Sequence, residues 1–225
     1  LLALIFGSFY LSSCNDGLPE EKILIFSKTE GFRHASIPDA KRALLELCKK
    51  NGIKADTTEN ASYFIEDSLK NYSSVVFLMT SGNVLDYRQQ AHFQRYIQAG
   101  GGFVGIHSAS DTEYKWPWFG KLVGAYFADH PEQQKAIVKV TNAEHSATRH
   151  LEENWERFDE WYNFRDFYKG IKELVLLDET SYKGGKNGDY HPIAWYHEFD
   201  GGRSFYTGMG HTVESYEEED FLTHI

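Results

Sequence analysis

Residues 100–111 read Gly100-Gly101-Gly102-Phe103-Val104-Gly105-Ile106-His107-Ser108-Ala109-Ser110-Asp111. Three glycines break the preceding helix, a short apolar run follows, and the run ends in a polar turn that opens on a histidine. An apolar run of this length between turn residues fits a strand buried on both faces, the kind found in parallel sheets. The same units recur upstream. Asp86 can cap a helix over residues 87–99, with Phe93, Tyr96 and Ile97 on one face. Residues 74–79, Ser-Val-Val-Phe-Leu-Met, form a second buried strand pattern, and residues 22–27 another. Between them, Ile37–Lys50 has helical spacing through Ile37, Ala40, Leu44, Leu47 and Cys48, with a stop at Asn51-Gly52, and residues 53–58 can form a strand. Strands alternating with helices predict an α/β fold with a mainly parallel sheet. Downstream, residues 136–140, 174–177, 193–199 and 204–206 read as strands. Residues 155–167 are aromatic-rich without a clear period, and residues 182–189 form an exposed loop or hairpin tip. With no repeat and no linker, residues 22–225 are read as one domain.

Composition narrows the classes. The chain has 225 residues, 33 Asp plus Glu against 23 Lys plus Arg, and a net charge of −10. A hydrophobic fraction of 41% excludes a disordered chain. The acidic balance, without a basic patch or helix-turn-helix pattern, argues against nucleic acid as a partner. Two cysteines cannot staple a disulfide scaffold.

The ends carry their own signals. Residues 1–13 are apolar and uncharged, too short to span a bilayer but of the length of a signal-peptide core. Leu11-Ser12-Ser13-Cys14 looks like a bacterial lipobox, in which Cys14 is lipidated, and a polar tether follows to Glu21. Residues 1–21 are therefore expected to be a signal remnant, lipobox and tether. The protein would be exported and lipid-anchored, periplasmic or at the cell surface, touching membrane only through the anchor. At the other end, Glu217-Glu218-Glu219-Asp220 before Phe221 reads as a helix start, and that C-terminal helix is expected to be truncated at Ile225.

In open α/β sheets, ligands sit beyond the carboxyl ends of the strands. The first strand is followed there by Glu30-Gly31-Phe32-Arg33-His34, the third by Thr80-Ser81-Gly82-Asn83, and the fourth by His107-Ser108-Ala109-Ser110-Asp111. The position after the fourth strand is where many α/β hydrolases and amidotransferases place a nucleophile. Here it holds His107 and Ser108 with no cysteine nearby, so Cys-His amidotransferase chemistry is absent. His107 suits a general base, a metal ligand or a satisfied structural donor. A Ser108 nucleophile lacks the Gly-x-Ser-x-Gly frame. The chain has ten histidines, and His34, His107, His130, His191, His197 and His211 lie in polar, turn-like contexts. Imidazoles plus a carboxylate can hold a divalent, zinc-like metal, with His107 and His211 as candidates, but no helical ligand pair marks the site. Asp159-Glu160-Trp161-Tyr162 is either an acidic turn between core aromatics or a carboxylate beside a sugar-stacking ring. Trp116-Pro117-Trp118-Phe119 is either a stacking platform or a packing plug.

Taken together, Glu30 to His34, Gly100 to Asp111, Ala128-Asp129-His130-Pro131, Asp159 to Tyr162, His191-Pro192-Ile193-Ala194-Trp195 and Gly208-Met209-Gly210-His211-Thr212 resemble the ThuA-like (trehalose utilisation) family over residues 22–225. The resemblance implies a three-layer flavodoxin-like, class I glutamine amidotransferase-like sandwich without amidotransferase activity. It also implies a role with saccharides, including oxidised 3-keto sugars, as a hydrolase, lyase or isomerase. On this reading a small saccharide, a disaccharide or keto-glycoside, is the partner. His107, Asp111, Glu160 and His211 would be catalytic or polarise sugar oxygens, and Glu30, Arg33, His34, Ser108, His130 and Trp161 would bind substrate. The rival expectation is a non-catalytic sugar-binding accessory lipoprotein.

Overall fold

The computed structural model describes residues 21–225. Cys14 and the rest of the expected signal remnant and tether, apart from Glu21, lie outside the described residues. Along the chain run β1 (Lys22–Phe26), α1 (Ile37–Lys50), β2 (Lys54–Thr58), α2 (Glu66–Leu69), β3 (Ser74–Leu78), α3 (Tyr87–Gln98), β4 (Gly102–Ile106), α4 (Pro117–Val123), β5 (Tyr126–Asp129), β6 (Gln134–Val140), β7 (Asn154–Asp159), β8 (Asn163–Arg165), β9 (Lys172–Leu177), β10 (Pro192–Phe199), β11 (Gly202–Thr207) and α5 (Glu219–His224). Nine strands form one sheet in the order β2-β1-β3-β4-β11-β10-β9-β6-β7, and β5 pairs with β8 in a separate ribbon. Among the described residues no helix is long and apolar enough to cross a membrane.

The sheet is mixed: the parallel arrangement expected from the sequence holds for five of the nine strands and gives way to antiparallel pairing in the rest. β2, β1, β3, β4 and β11 are parallel, whereas β10, β9, β6 and β7 continue the sheet in antiparallel pairs. Parallel neighbours need a long crossover, and the helices of the first half supply it. Antiparallel neighbours accept tight turns. β10 and β11 are joined through Asp200 and Gly201, both at positive φ (49° and 96°), the backbone of a two-residue hairpin that follows the sheet twist.

Local chemistry explains the helices. α3 begins with a capping box in which Asp86 accepts from the backbone of Arg88 and Gln89 while the Gln89 side chain accepts from Asp86 N–H. α1 buries Ile37, Ala40, Leu44 and Cys48 and ends on Lys49 and Lys50, which complement the helix dipole. α1 and α5 border one face of the parallel half, over Ile23, Val76 and Val104. α3 and α4 cover the other, where the Phe77 ring lies 5.3–5.7 Å from those of Phe26, Phe64, Phe93, Phe103 and Phe119. Trp116-Pro117-Trp118-Phe119 starts α4 as a packing plug: Trp116 stacks on Trp118, and Phe119 is buried.

The parallel half carries all its C-terminal strand ends to one rim. The turns after β1, β3, β4 and β11 meet there, and β7 reaches the same rim from the antiparallel half. Because Phe77 sits at the centre of that aromatic cluster, Phe77→Ala is expected to cost about 3–5 kcal/mol in chemical denaturation, with the unfolding slope unchanged. A loss below about 1 kcal/mol would show that the cluster repacks.

Candidate metal and substrate site

The site is built around His107, the residue that follows β4. Its backbone is in the left-handed region (φ 51°), an arrangement disfavoured for a side chain bearing Cβ and characteristic of functional turns. The turn is fixed by Tyr206 on β11, whose hydroxyl donates to the His107 carbonyl at 2.7 Å. His107 Nδ1–H donates to the Gly208 carbonyl at 2.8 Å. That bond turns Nε2 outward, the ring orientation of metal-binding histidines whose other nitrogen is held by a carbonyl.

Three further side chains converge on that nitrogen. His107 Nε2 lies 3.1 Å from His211 Nδ1 and 3.3 Å from Glu160 Oε2, and His211 Nδ1 lies 3.1 Å from the same oxygen. His34 completes the group, and the four potential ligand atoms all lie within 4.8 Å of one another. Metal–nitrogen bonds of 2.0–2.1 Å in tetrahedral geometry place ligand atoms about 3.3 Å apart, so three of these separations already match such an edge. The sequence placed His107 and His211 as candidate ligands; the structure adds His34 and Glu160.

Each ligand is positioned by its own segment. Asp159, fully buried at the end of β7, accepts from the N–H groups of Glu160 (2.9 Å), Gly210 (2.8 Å) and His211 (3.0 Å) and from the Ser215 hydroxyl (3.5 Å), and pairs with the Arg157 guanidinium (3.1 Å). Gly210 has φ 99°, and a Cβ there would come within 2.8 Å of Phe221, so glycine is required for the turn that aims His211. Ser36, at the N-terminus of α1, donates to the His211 carbonyl at 2.6 Å instead of capping its helix. Gln133 reaches His211 Nε2 at 2.8 Å. The Tyr162 ring lies 4.2 Å from that of His107.

Electrostatics separates the group. Burial lowers the His34 pKa to about 3, reinforced by the nearby His107 and His211, so this imidazole stays neutral at pH 7. Burial alone would raise the Glu160 carboxyl, but hydrogen bonds from His107 and His211 outweigh it and hold it well below the ordinary range. Asp111 is raised by burial, against a 2.6 Å bond from Tyr114 and the charge of His107.

The remaining sequence candidates divide. His130 stands half-exposed at the rim with Nδ1 3.3 Å from Glu160 Oε1, and Ser108 Oγ is 3.4 Å from His34 Nδ1. Trp161 is corrected: its ring is wholly buried and its indole N–H donates to the Gln134 carbonyl, leaving no face for a sugar. Glu30 pairs with Lys28, and Arg33 forms a bidentate pair with Glu59 at the surface, so neither joins the cluster. His191 bridges Glu179 and the Tyr162 carbonyl, and His197 contacts the Lys121 carbonyl, both away from the cluster. Sequence reasoning missed Gln133, Ser36, Tyr162 and Tyr206. Tyr162 was legible, because in an extended chain residues two apart share a face, and Glu160 and Tyr162 both meet His107.

The chain belongs to the ThuA family, described as trehalose utilisation, whose model matches residues 22–225. It is similar to a ThuA-like protein from Bacteroides uniformis, at 26% identity over 96% of this chain and 91% of that one, with a TM-score of 0.76. A ThuA-like protein from Parabacteroides merdae is 17% identical over 91% and 88% of the two chains (TM-score 0.72), and a cytoplasmic protein from Salmonella typhimurium LT2 is 14% identical over 90% and 96% (TM-score 0.67). At these two identities the likeness concerns the fold. No curated protein sequence matches the chain.

The neutral His34 gives a pH signature. Between pH 6.5 and about 3 the unfolded chain takes up a proton at this position and the folded chain does not, so acidification favours unfolding across that window. In chelator-treated protein, His34→Asn is expected to lose less stability than wild type as pH falls from 6.5 to 3, read as denaturation midpoints. Parallel curves would contradict this assignment.

Proposed function

We propose that this protein processes carbohydrate, acting on a disaccharide or keto-glycoside, and that His34, His107, Glu160 and His211 hold a divalent, zinc-like metal as they do so. The convergence of three imidazoles and one carboxylate at 3.1–3.3 Å contacts carries the reading. The neutral His34 and the ionised Glu160 each present a lone pair, and the bond from His107 Nδ1 to Gly208 turns Nε2 toward them, where a metal would replace the proton shared with Glu160. The family's description supports the saccharide, and the histidine after β4 is inconsistent with amidotransferase chemistry in a flavodoxin-like, amidotransferase-like sandwich. The exported, lipid-anchored location belongs to the same proposal and rests on the Leu11 to Cys14 motif.

A bound divalent metal supplies Lewis acidity toward a sugar carbonyl or hydroxyl. The chain's own residues do the rest. Asp111, whose carboxyl burial pushes upward and which lies close enough to feel His107, is the group placed to exchange a proton with a departing oxygen. His130 at the rim and Ser108 beside His34 offer hydrogen bonds to sugar hydroxyls. Proton transfer next to a carbonyl, or glycosidic cleavage following it, is the reaction this set suits. Gln133 sets the state of His211: ligation through Nδ1 puts the proton on Nε2, which the Gln133 carbonyl oxygen accepts after rotation of the amide.

Calorimetric titration with zinc is expected to give one site per chain, weakened at least about 100-fold in His107→Ala and weakened as pH falls from 7.5 to 5.5, because protons compete for the imidazoles. Turnover of a 3-keto-glucoside is expected to need the metal and to stop in His107→Ala. Turnover unchanged by chelation and by His107→Ala would overturn the reading. Saccharide binding without product under any metal condition would favour the accessory-protein alternative.

A further inference from the structure

Beside the cluster lies a cavity of about 540 Å3 that the roles above leave unused. Its lining includes Phe158, Gln133, His211, Val213, Glu214 and Glu218. Two of these already belong to the site: His211 turns Nδ1 toward His107 and Glu160, and Gln133 contacts its Nε2. The cavity is therefore contiguous with the metal cluster, and its volume falls within the roughly 300–1,000 Å3 typical of ligand pockets.

Its chemistry is selective. β7 alternates strictly, with Trp155, Arg157 and Asp159 buried and Asn154, Glu156 and Phe158 outward. Phe158 is 46% exposed, a large apolar ring held open on a wall of the cavity, and Val213 beside it is 36% exposed. Glu214 and Glu218 bring carboxylate acceptors, and Gln133 brings an amide. An apolar plane flanked by acceptors suits a pyranose ring, which offers a face of C–H groups and a rim of hydroxyl donors. Among the described residues lining the cavity none is lysine or arginine. Arg157 beneath it is matched by Asp159 at 3.1 Å and Glu218 at 3.6 Å. A phosphate or carboxylate on a ring held in this cavity would meet Glu214 and Glu218 with no lysine or arginine in the lining to answer it.

We infer that this cavity is a second saccharide subsite, with Phe158 as its stacking platform, and that it selects uncharged glycosides of at least two rings over monosaccharides and sugar phosphates. The inference deepens the proposed function and rests on it for the ring bound at the metal.

The test is calorimetric binding of trehalose, glucose and trehalose 6-phosphate to zinc-loaded protein, with a zinc titration alongside. Wild type is expected to bind trehalose about tenfold tighter than glucose, given the energy of one stacked ring, and tighter than trehalose 6-phosphate, whose phosphate would face Glu214 and Glu218. In Phe158→Ala the trehalose advantage over glucose is expected to vanish while zinc affinity stays. Because Phe158 is a half-exposed residue of an edge strand, its removal leaves the core intact. Glu214→Lys is expected to raise affinity for trehalose 6-phosphate. Trehalose bound equally by wild type and Phe158→Ala, trehalose 6-phosphate bound as tightly as trehalose, or zinc bound without any saccharide would overturn the subsite. Absence of zinc binding would instead overturn the metal reading, with the Phe158→Ala comparison still reporting on the cavity.

Discussion

Asp159 is a carboxylate with no exposure to solvent, bonded by three backbone N–H groups and the Ser215 hydroxyl and paired with Arg157. A buried carboxylate is tolerable only when so matched, and removing a partner from such a group costs about 3–5 kcal/mol. The matching is also positional. The same side chain holds the N–H of Glu160 on its own strand and those of Gly210 and His211 on the turn after β11. Two of the four cluster residues are thus referenced to one carboxylate. Arg157, which neutralises it, is itself clamped between the rings of Trp155 and Phe221, 4.7 and 4.6 Å away. The site's geometry is inherited from a buried ion pair inside the antiparallel half of the sheet.

The other half contributes His107 and His34. β4 ends at the centre of the sheet, between β3 and β11, so the residue after it is held from both sides. His107 bonds the turn after β11 through the Gly208 carbonyl, and Ser36 bonds it through the His211 carbonyl. The parallel and antiparallel halves therefore meet at one short loop, residues 208–211, and the cluster sits at that joint. This is the crevice beyond strand ends where α/β sheets bind ligands, extended here by strands of the second half.

Much of the first half was legible in the sequence. Its strands are buried on both faces and read as unbroken apolar runs, and its helices carry caps and one apolar face. The rim was legible for the same reason, since residue types after strand ends can be read directly. β7 was not. It buries Arg157 and Asp159 and exposes Phe158, so its alternation is real but inverted in polarity, and no hydropathy pattern reveals an ion pair that replaces apolar packing. The same inversion misassigned the stacking ring: Trp161 faces the core with Asp159, while Tyr162 faces the cluster with Glu160 and Phe158 faces the cavity. Glu30 and Arg33 had the right position along the chain, but Lys28 and Glu59 claim their charges at the surface. Pairings of that kind depend on neighbours brought by the fold.

The central claim is that four side chains from four separated segments form one metal site. Anomalous diffraction at the zinc edge, from crystals grown with one equivalent of zinc, tests it most directly. The account predicts a single peak about 2.0–2.1 Å from nitrogens of His34, His107 and His211 and at similar distance from a Glu160 oxygen. A peak elsewhere, or no peak among these four residues at full zinc loading, would contradict it.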